Sequence, residues 1–372
     1  MERTQTGDFL VRRDDLRRHT FAETPAPETS LEEGEALLRV DAFALTANNV
    51  TYGAFGDALH YWDFFPAPEG WGRIPAWGFA TVIASAQPGI VEGARYYGYV
   101  PMSSSVAMRP QRVTATTFTD GAPHRAALHP LYNNYTLAPA ADATSDALQL
   151  LLRPLFITSF ILDDFFAEAA YYGATQIAVS SASSKTAYGM AFLMAARLRR
   201  AGSNVRIAGL TSARNVAFVA SLGCYDDVFA YEELARLPAF ATLFVDFAAN
   251  DEVTRQVHTH LGAALAYSSA IGATHWEARG THAATSPLPG PAPVPFFAPA
   301  QIKQRVSDWG PGGFAERFDA AWATFVAAIR ARGSAWLAVT RGSGPEALAT
   351  VYDAAIAGTL SPGDGHILTL SD

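Results

Sequence analysis

The sequence predicts an α/β protein of two domains, with a doubly wound parallel sheet set into a β-rich, irregular remainder. Three observations carry this reading. The 372 residues exceed what a single hydrophobic core usually serves. Between residues 175 and 272, short apolar runs alternate with helical stretches, the pattern of a parallel sheet covered by helices. The first 140 residues instead carry strand-like runs punctuated by glycine and proline.

Residues 35–45, EALLRVDAFAL, alternate apolar and polar side chains like a half-buried strand, and 73–85 and 94–102 read as further strands. Between the first two lies TYGAFGDALHYWDFFPAPEGWG (51–72), an aromatic, Gly/Pro-rich loop of the kind that lines pockets. Residues 145–173 are long, apolar and helical in spacing, with a break at Pro154. The strand TQIAV (175–179) precedes a helix over 185–200, and the strand VRIAGL (205–210) precedes one over 214–222. A short strand DDVFAY follows, then TLFVDFA (242–248), a helix over 251–262 and a strand over 263–272. A Pro-rich segment (286–300) ends this block, and a helix over 314–332, the strand AWLAVTRG, a short helix and the strand GHILTL (365–370) close the chain. The texture changes place one domain over 1–142, the parallel-sheet domain over 143–285 and a return to the first over 286–372.

Apolar residues at 49% and charged ones at 17% suit a well-buried globule and not a disordered chain. No run of 18 apolar residues occurs and the N-terminus lacks a hydrophobic leader core, so a cytoplasmic protein without membrane insertion is expected. The single cysteine, Cys224, excludes an intramolecular disulfide and a Cys-rich zinc site. A net charge of −8 argues against nucleic acid as partner. His258 and His260, two apart on a helix, face different sides, and no metal is assigned.

The chemistry concentrates at VSSASSKTAYG (179–189), between a strand and a helix. There backbone N–H groups and a helix start form an anion site, and glycines normally let a pyrophosphate approach. Here Ser181, Ala182, Ser183, Ser184, Lys185 and Thr186 take that place, offering small side chains, hydroxyl donors and one cation. The plainer reading is a capped helix start with an exposed lysine. Charge favours the anion site: residues 169–225 contain no Asp or Glu, but do contain Lys185, Arg197, Arg199, Arg200, Arg206 and Arg214. The second strand ends in Thr211, Ser212, Ala213 and Arg214, where an acid would bind a ribose 2′-hydroxyl and an Arg accommodates a 2′-phosphate. These residues point to NADP(H). Arg197, Arg199 and Arg200 read as a solvated helix end that complements the dipole.

The chain resembles the medium-chain dehydrogenase/reductase superfamily, particularly its zinc-independent quinone and enoyl reductase branches. The resemblance rests on EALLRVDAFALTANNVTYGAF, WGFATVIAS, RPLFITSFILDDFF, VSSASSKTAYGMAFLMAARL, LTSARNVAFVASLGCYDDVFAYEE, VDFAAN and PEALATVYDAAIAGTLSPGDGHILTL in that order. It implies a GroES-like β-rich catalytic domain and a Rossmann cofactor domain, with NADP(H) as cofactor and a homodimer as a possible assembly. The chain departs from the family in the glycine-poor turn, in the missing zinc ligands, and at Gly53-Ala54-Phe55, where the family has Gly-x-Tyr.

The resemblance also implies site residues. Asn49 falls where the family faces the nicotinamide, or is a turn Asn. Tyr52, with Tyr61 as its neighbour, replaces the missing phenol as proton donor, or is a wall residue. Thr158 and Ser268 fall near the cofactor and Tyr231 ends the short strand beside it, while Phe55, Phe296 and Phe297 are candidates to cover an apolar substrate. The expected function is NADPH-dependent hydride transfer to an activated carbonyl-conjugated substrate: an enone, a quinone or an enoyl thioester. The alternative is a catalytically degenerate NADP(H)-binding sensor or scaffold.

Overall fold

The computed structural model describes residues 6–25, 30–139, 142–271, 288–332 and 336–370. They form two compact units, 1–151 with 338–372, and 152–337. Among the described residues no helix is long and apolar enough to cross a membrane.

The first unit is built on a nine-stranded sheet. The expected strands appear as Ala36–Leu45, Pro75–Ser85 and Arg95–Pro101, paired antiparallel in that order. Alternation drives the first of them: Leu38, Val40 and Phe43 are buried while Arg39 faces solvent. Two register irregularities, at 37/38 and 40/42, bend it. The terminal strands Ala338–Ser343 and Asp364–Thr369 extend the sheet, parallel to each other. A separate three-stranded sheet joins His19–Glu23, Gly7–Arg12 and Trp71–Gly72. The aromatic loop begins as a helix, Ala47–Ala54, and contains a short 3₁₀ turn, Tyr61–Asp63.

The second unit is the expected doubly wound sheet. Its six strands lie in the order Asp227–Ala230, Arg206–Thr211, Gln176–Val179, Thr242–Asp246, Leu265–Ala270 and Val294–Pro295, all parallel. All four residues of Gln176–Val179 are buried, as a central strand covered on both faces must be. Strand order reverses between Gln176–Val179 and Thr242–Asp246. In open sheets of this kind, ligands bind beyond the carboxyl ends of the strands at that point. The following helix, Lys185–Arg200, buries Ala187, Met190, Ala191, Met194 and Leu198, a 3–4 spacing that makes one apolar face.

The helical stretch before the sheet is broken as expected, into Ala143–Leu151 and Arg153–Glu168, with Pro154 in the first turn of the second. The return to the first unit falls elsewhere. The expected boundary at 285/286 lies outside the described residues, and residues 288–337 belong to the second unit. The reason is the helix Ala298–Arg332, longer than expected and bent at Gly310 (φ 74°) before Pro311. Its Phe325 stacks on Phe156 at 4.6 Å and its Phe318 packs beside that ring, so this helix closes the core of the second unit.

Candidate functional site

The turn 180–184 lies at the strand-order reversal, with Ser180, Ala182 and Ser183 buried and Ser181 and Ser184 partly exposed. Ser180 is fully buried. Its hydroxyl donates to Asp246 Oδ1 at 2.5 Å and accepts from the Phe247 and Ala248 amides. Ser180 and Asp246 thus tie together the ends of the two strands between which the order reverses. Ser181 adopts φ 48°, the left-handed region that glycine tolerates, at a cost of about 1 kcal/mol or more. Its N–H donates to the Tyr231 hydroxyl at 2.9 Å. Ala182 is buried, its amide bonded to Leu210 O and its carbonyl to the Tyr225 hydroxyl.

The close approach a glycine would normally permit is provided elsewhere. A Cβ on Gly209, in the neighbouring strand, would lie 3.1 Å from the Ala182 Cβ and equally near Tyr225 and Val219. A Cβ on Gly189, in the helix that follows the turn, would lie 2.7 Å from Ser159 Oγ, the hydroxyl that donates to the Thr186 carbonyl at 2.8 Å.

Ser183 is also buried, at the edge of the turn. Its hydroxyl accepts from Asn215 Nδ2 at 3.3 Å and faces Thr211 Oγ1 at 3.5 Å, which leaves its own proton to donate. Ser184 is the N-cap, its Oγ accepting from the Ala187 N–H at 3.3 Å. Lys185 and Thr186 open a 16-residue helix, at the end where the helix dipole favours an anion. Ser212 is partly exposed and Arg214 exposed, at the end of the adjacent strand. A nucleotide fits this donor set. Ser183 and the amides at 185 and 186 can hold a pyrophosphate with Lys185 as counter-charge, and Ser212 and Arg214 can hold a 2′-phosphate.

Several expected binding residues turn out to build the scaffold. Ala182 and Thr211 are buried, and the Ser181 amide donates to the Tyr231 hydroxyl. Ser268 is buried, and its hydroxyl donates to His258 Nε2 at 3.0 Å, while His258 Nδ1 donates to the Pro289 carbonyl at 2.9 Å. Thr158 is partly exposed on Arg153–Glu168, and its neighbour Ser159 is the residue that reaches the nucleotide helix. Phe296 is buried against Phe165, so it packs the core, whereas Phe297 is half exposed. The acid-free window is less one-sided in space than in sequence: Arg197 pairs with Asp163 at 2.5 Å and Arg206 with Asp227 at 2.7 Å, both acids lying just outside it.

His258 yields a stability prediction. Burial holds its imidazole below the ordinary value near 6.5, so as pH falls the unfolded chain takes up the proton first. The stability linked to this ring is complete above about pH 6.5 and is lost as pH drops below it. The urea midpoint of the wild type should therefore fall between pH 7.5 and 5.5 by more than that of His258→Gln. Equal falls would exclude His258 as a source of acid sensitivity.

In the first unit the expected phenols meet. Tyr52 and Tyr61 have ring centroids 4.6 Å apart, and around them stand Phe64, Trp77, Tyr99 and Tyr132. Burial pushes the phenols of Tyr52, Tyr61 and Tyr99 well above the ordinary value and raises that of Tyr132, so all four are protonated donors near neutrality. For Tyr52, Trp77, Asn48 and Tyr99 oppose that rise by favouring the ionised oxygen.

Asn49 does not join the cluster. Its Oδ1 accepts from the Thr46 amide at 2.8 Å, its Nδ2 donates to Pro75 O at 2.9 Å, and it completes the capping box of Ala47–Ala54. Its amide holds the helix that presents Tyr52, so the expected contact with substrate is replaced by a structural one. The helix's last turn hands over to Phe55, which is only partly buried. Asn48, Trp77, Tyr99 and Tyr132 escaped the sequence reading. Only the i, i+4 spacing of Asn48 and Tyr52 on a helix could have signalled one of them.

Beneath the cluster lies a buried ion pair. Arg125 Nε is 3.2 Å from Asp120 Oδ2, both side chains almost wholly inaccessible. The guanidinium also donates to Phe64 O and to the Tyr135 hydroxyl, which in turn donates to Tyr99 O at 2.5 Å. Asp120 Oδ1 accepts the Arg109 and Ala122 amides. The loop carrying Tyr61 and Phe64 and the strand carrying Tyr99 are thereby fixed to one charged centre. Among the described residues no group of three or more His, Cys, Asp or Glu could hold a metal ion.

Residues 43–361 match the model of the family described as "Protein of unknown function (DUF2855)". The chain belongs to this family. No curated protein matches it in sequence. Solved structures share its fold over nearly the whole length. CurA from Vibrio vulnificus, solved in complex with NADPH, is 12% identical with a TM-score of 0.59, covering 99% of this chain and 98% of that one. The yhdH oxidoreductase from Salmonella enterica, in complex with NADP, is 15% identical with a TM-score of 0.50, covering 97% and 99%. The quinone oxidoreductase from Coxiella burnetii is 11% identical with a TM-score of 0.51, covering 98% and 99%. At such identities the likeness is one of fold, and the expected pairing of a GroES-like domain with a Rossmann domain holds at that level.

Proposed function

We propose that this member of the family is an NADPH-dependent reductase acting on an activated, carbonyl-conjugated substrate such as an enone, a quinone or an enoyl thioester. The observation that carries the reading is the turn at the strand-order reversal. There the turn carrying Ser183 leads into the start of a 16-residue helix at Lys185, with Ser212 and Arg214 just past the next strand. The NADPH and NADP bound by two of the fold relatives support the same cofactor.

NADPH, when bound, supplies a hydride. The chain's own contribution is to hold its phosphates at 183–186 and 212–214 and to provide a proton. Tyr52 is the donor of choice: a neutral phenol in an apolar surround, whose oxygen has donors beside it to stabilise the charge left after proton loss. A hydride delivered to the carbon β to the carbonyl produces an enolate, and transfer of the Tyr52 proton to the α carbon completes the saturated ketone. Tyr61, also protonated, can hydrogen-bond the carbonyl oxygen.

The cofactor assignment is tested by titrating NADPH and NADH against the wild type and Arg214→Ala, following nucleotide fluorescence. Loss of a charge-assisted bond to a 2′-phosphate should raise the NADPH Kd about 10- to 100-fold and leave that for NADH nearly unchanged. Equal loss for both would refute the 2′-phosphate contact, and no binding of either nucleotide would sink the reductase reading. Binding without NADPH oxidation across a panel of enones, quinones and acyl thioesters would instead favour a sensor.

A further inference from the structure

The nucleotide turn bends through a left-handed residue, and no glycine supplies it. Ser181 has φ 48°, a conformation that glycine reaches without strain and serine does not. Every backbone polar group of Ser181 and Ala182 is engaged. The Ser181 amide donates to the Tyr231 hydroxyl at 2.9 Å, and Ser181 O accepts from the Ser184 amide at 2.8 Å. The Ala182 amide donates to Leu210 O at 3.1 Å, and Ala182 O accepts from the Tyr225 hydroxyl at 2.9 Å. Two of the four partners are therefore tyrosine hydroxyls. The Tyr225 ring lies against Gly209 of the adjacent strand, where a Cβ would be 3.1 Å from Tyr225 Cδ1. Glycine at 209 makes room for the ring whose hydroxyl meets the turn.

We infer that Tyr225 is a positioning residue for the nucleotide: its hydroxyl, bonded to the Ala182 carbonyl, holds Ser181 left-handed in place of a turn glycine and so sets Ser183 and the helix start at Lys185 where phosphates are received. The inference rests on the reading of this turn as the cofactor site. Rotation of Ser181 into either region that serine ordinarily adopts would redirect the chain after it and carry the Ala182 carbonyl off the phenol, so the bond opposes that rotation. Tyr231 acts on the same residue from its amide side. The effect reaches the phosphates through the backbone. Ser183 follows Ala182 directly, and its hydroxyl meets Asn215 Nδ2 at 3.3 Å only while the turn keeps this path. Because Tyr225 acts on the part of the turn that would hold the pyrophosphate, its contribution is common to NADPH and NADH.

The test is Tyr225→Phe, made in the wild type and in a Ser181→Gly background, with NADPH and NADH titrated by nucleotide fluorescence and thermal unfolding followed in parallel. The substitution keeps the ring against Gly209 and removes only the hydroxyl. With serine at 181 it should raise the Kd of both nucleotides about 5-fold, the share of one neutral hydrogen bond. In the Ser181→Gly background the same change should raise either Kd by less than about 2-fold, because glycine takes the left-handed conformation unaided. Wild-type affinity in Tyr225→Phe, whatever its melting temperature, would make the bond structural only and overturn the inference. An equal rise in the Ser181→Gly background would overturn it as well, since Tyr225 would then act independently of Ser181. So would a rise for NADPH alone, which would put the phenol at the 2′-phosphate. Failure of the wild type to bind either nucleotide would instead overturn the cofactor reading, and the inference with it.

Discussion

Replacing Arg125 with methionine is expected to destabilise the protein by about 3–5 kcal/mol, read as a shift in the urea midpoint, the largest effect of any single substitution considered for this chain. The guanidinium is almost wholly inaccessible and neutralises Asp120, an equally buried carboxylate. Removing it leaves that charge without compensation and strips partners from Phe64 O and the Tyr135 hydroxyl. Methionine restores much of the volume and the contact with Phe65, whose ring lies 4.5 Å from the guanidinium, but none of the charge. A further change of Asp120 to Asn should recover part of the loss, because the penalty lies in the unpaired carboxylate and not in the missing pair. A loss below about 1 kcal/mol for the single variant would show that water reaches Asp120 and that the pair does not anchor the cluster.

Tyr52→Phe should lower kcat for NADPH-dependent reduction of an enone by about 100-fold or more, the usual contribution of a positioned general acid. NADPH affinity should not change, because the residues proposed to hold its phosphates, 183–186 and 212–214, are left intact. The phenol's pKa lies above its ordinary value, so the wild-type rate should show no basic limb from this group below about pH 10. Stopped-flow measurement of NADPH oxidation across pH 6–10 checks both statements. A variant with more than about half the wild-type rate would remove Tyr52 from the proton path.

The parallel sheet was legible because buried parallel strands are continuous apolar runs: QIAV and TLFV stand out against their flanks. The nucleotide turn was legible as strand, small residues and helix, even without glycine. The strands Gly7–Arg12 and His19–Glu23 escaped notice because they are short and flanked by charges, although Phe9, Leu10 and Val11 of the first are buried. The Pro-rich segment read as a passage back to the first unit. Proline marks a change in chain direction, but cannot say which core the next helix will join. That choice is made by Phe318 and Phe325 meeting Phe156.

At the site, the residues misjudged are those whose role depends on long-range contacts. Asn49 and Ser268 look like ligand-facing polar groups until their hydrogen bonds to Pro75 and His258 are seen. Arg125 counts as one more surface charge in a sequence, and Tyr99 as one more aromatic in a strand. Nothing local separates a tyrosine whose hydroxyl is solvated from one whose hydroxyl is shut inside.

The contact between Gly209 and Ala182 carries an implication for how such turns are inherited. A size limit that usually rests on one turn residue is here shared between two elements that meet only in the fold. A side chain at 209 would press on Ala182, Tyr225 and Val219 at once, so it is permitted only if all three give way. A fingerprint confined to the turn will therefore overlook a chain whose tightest glycine sits on the neighbouring strand.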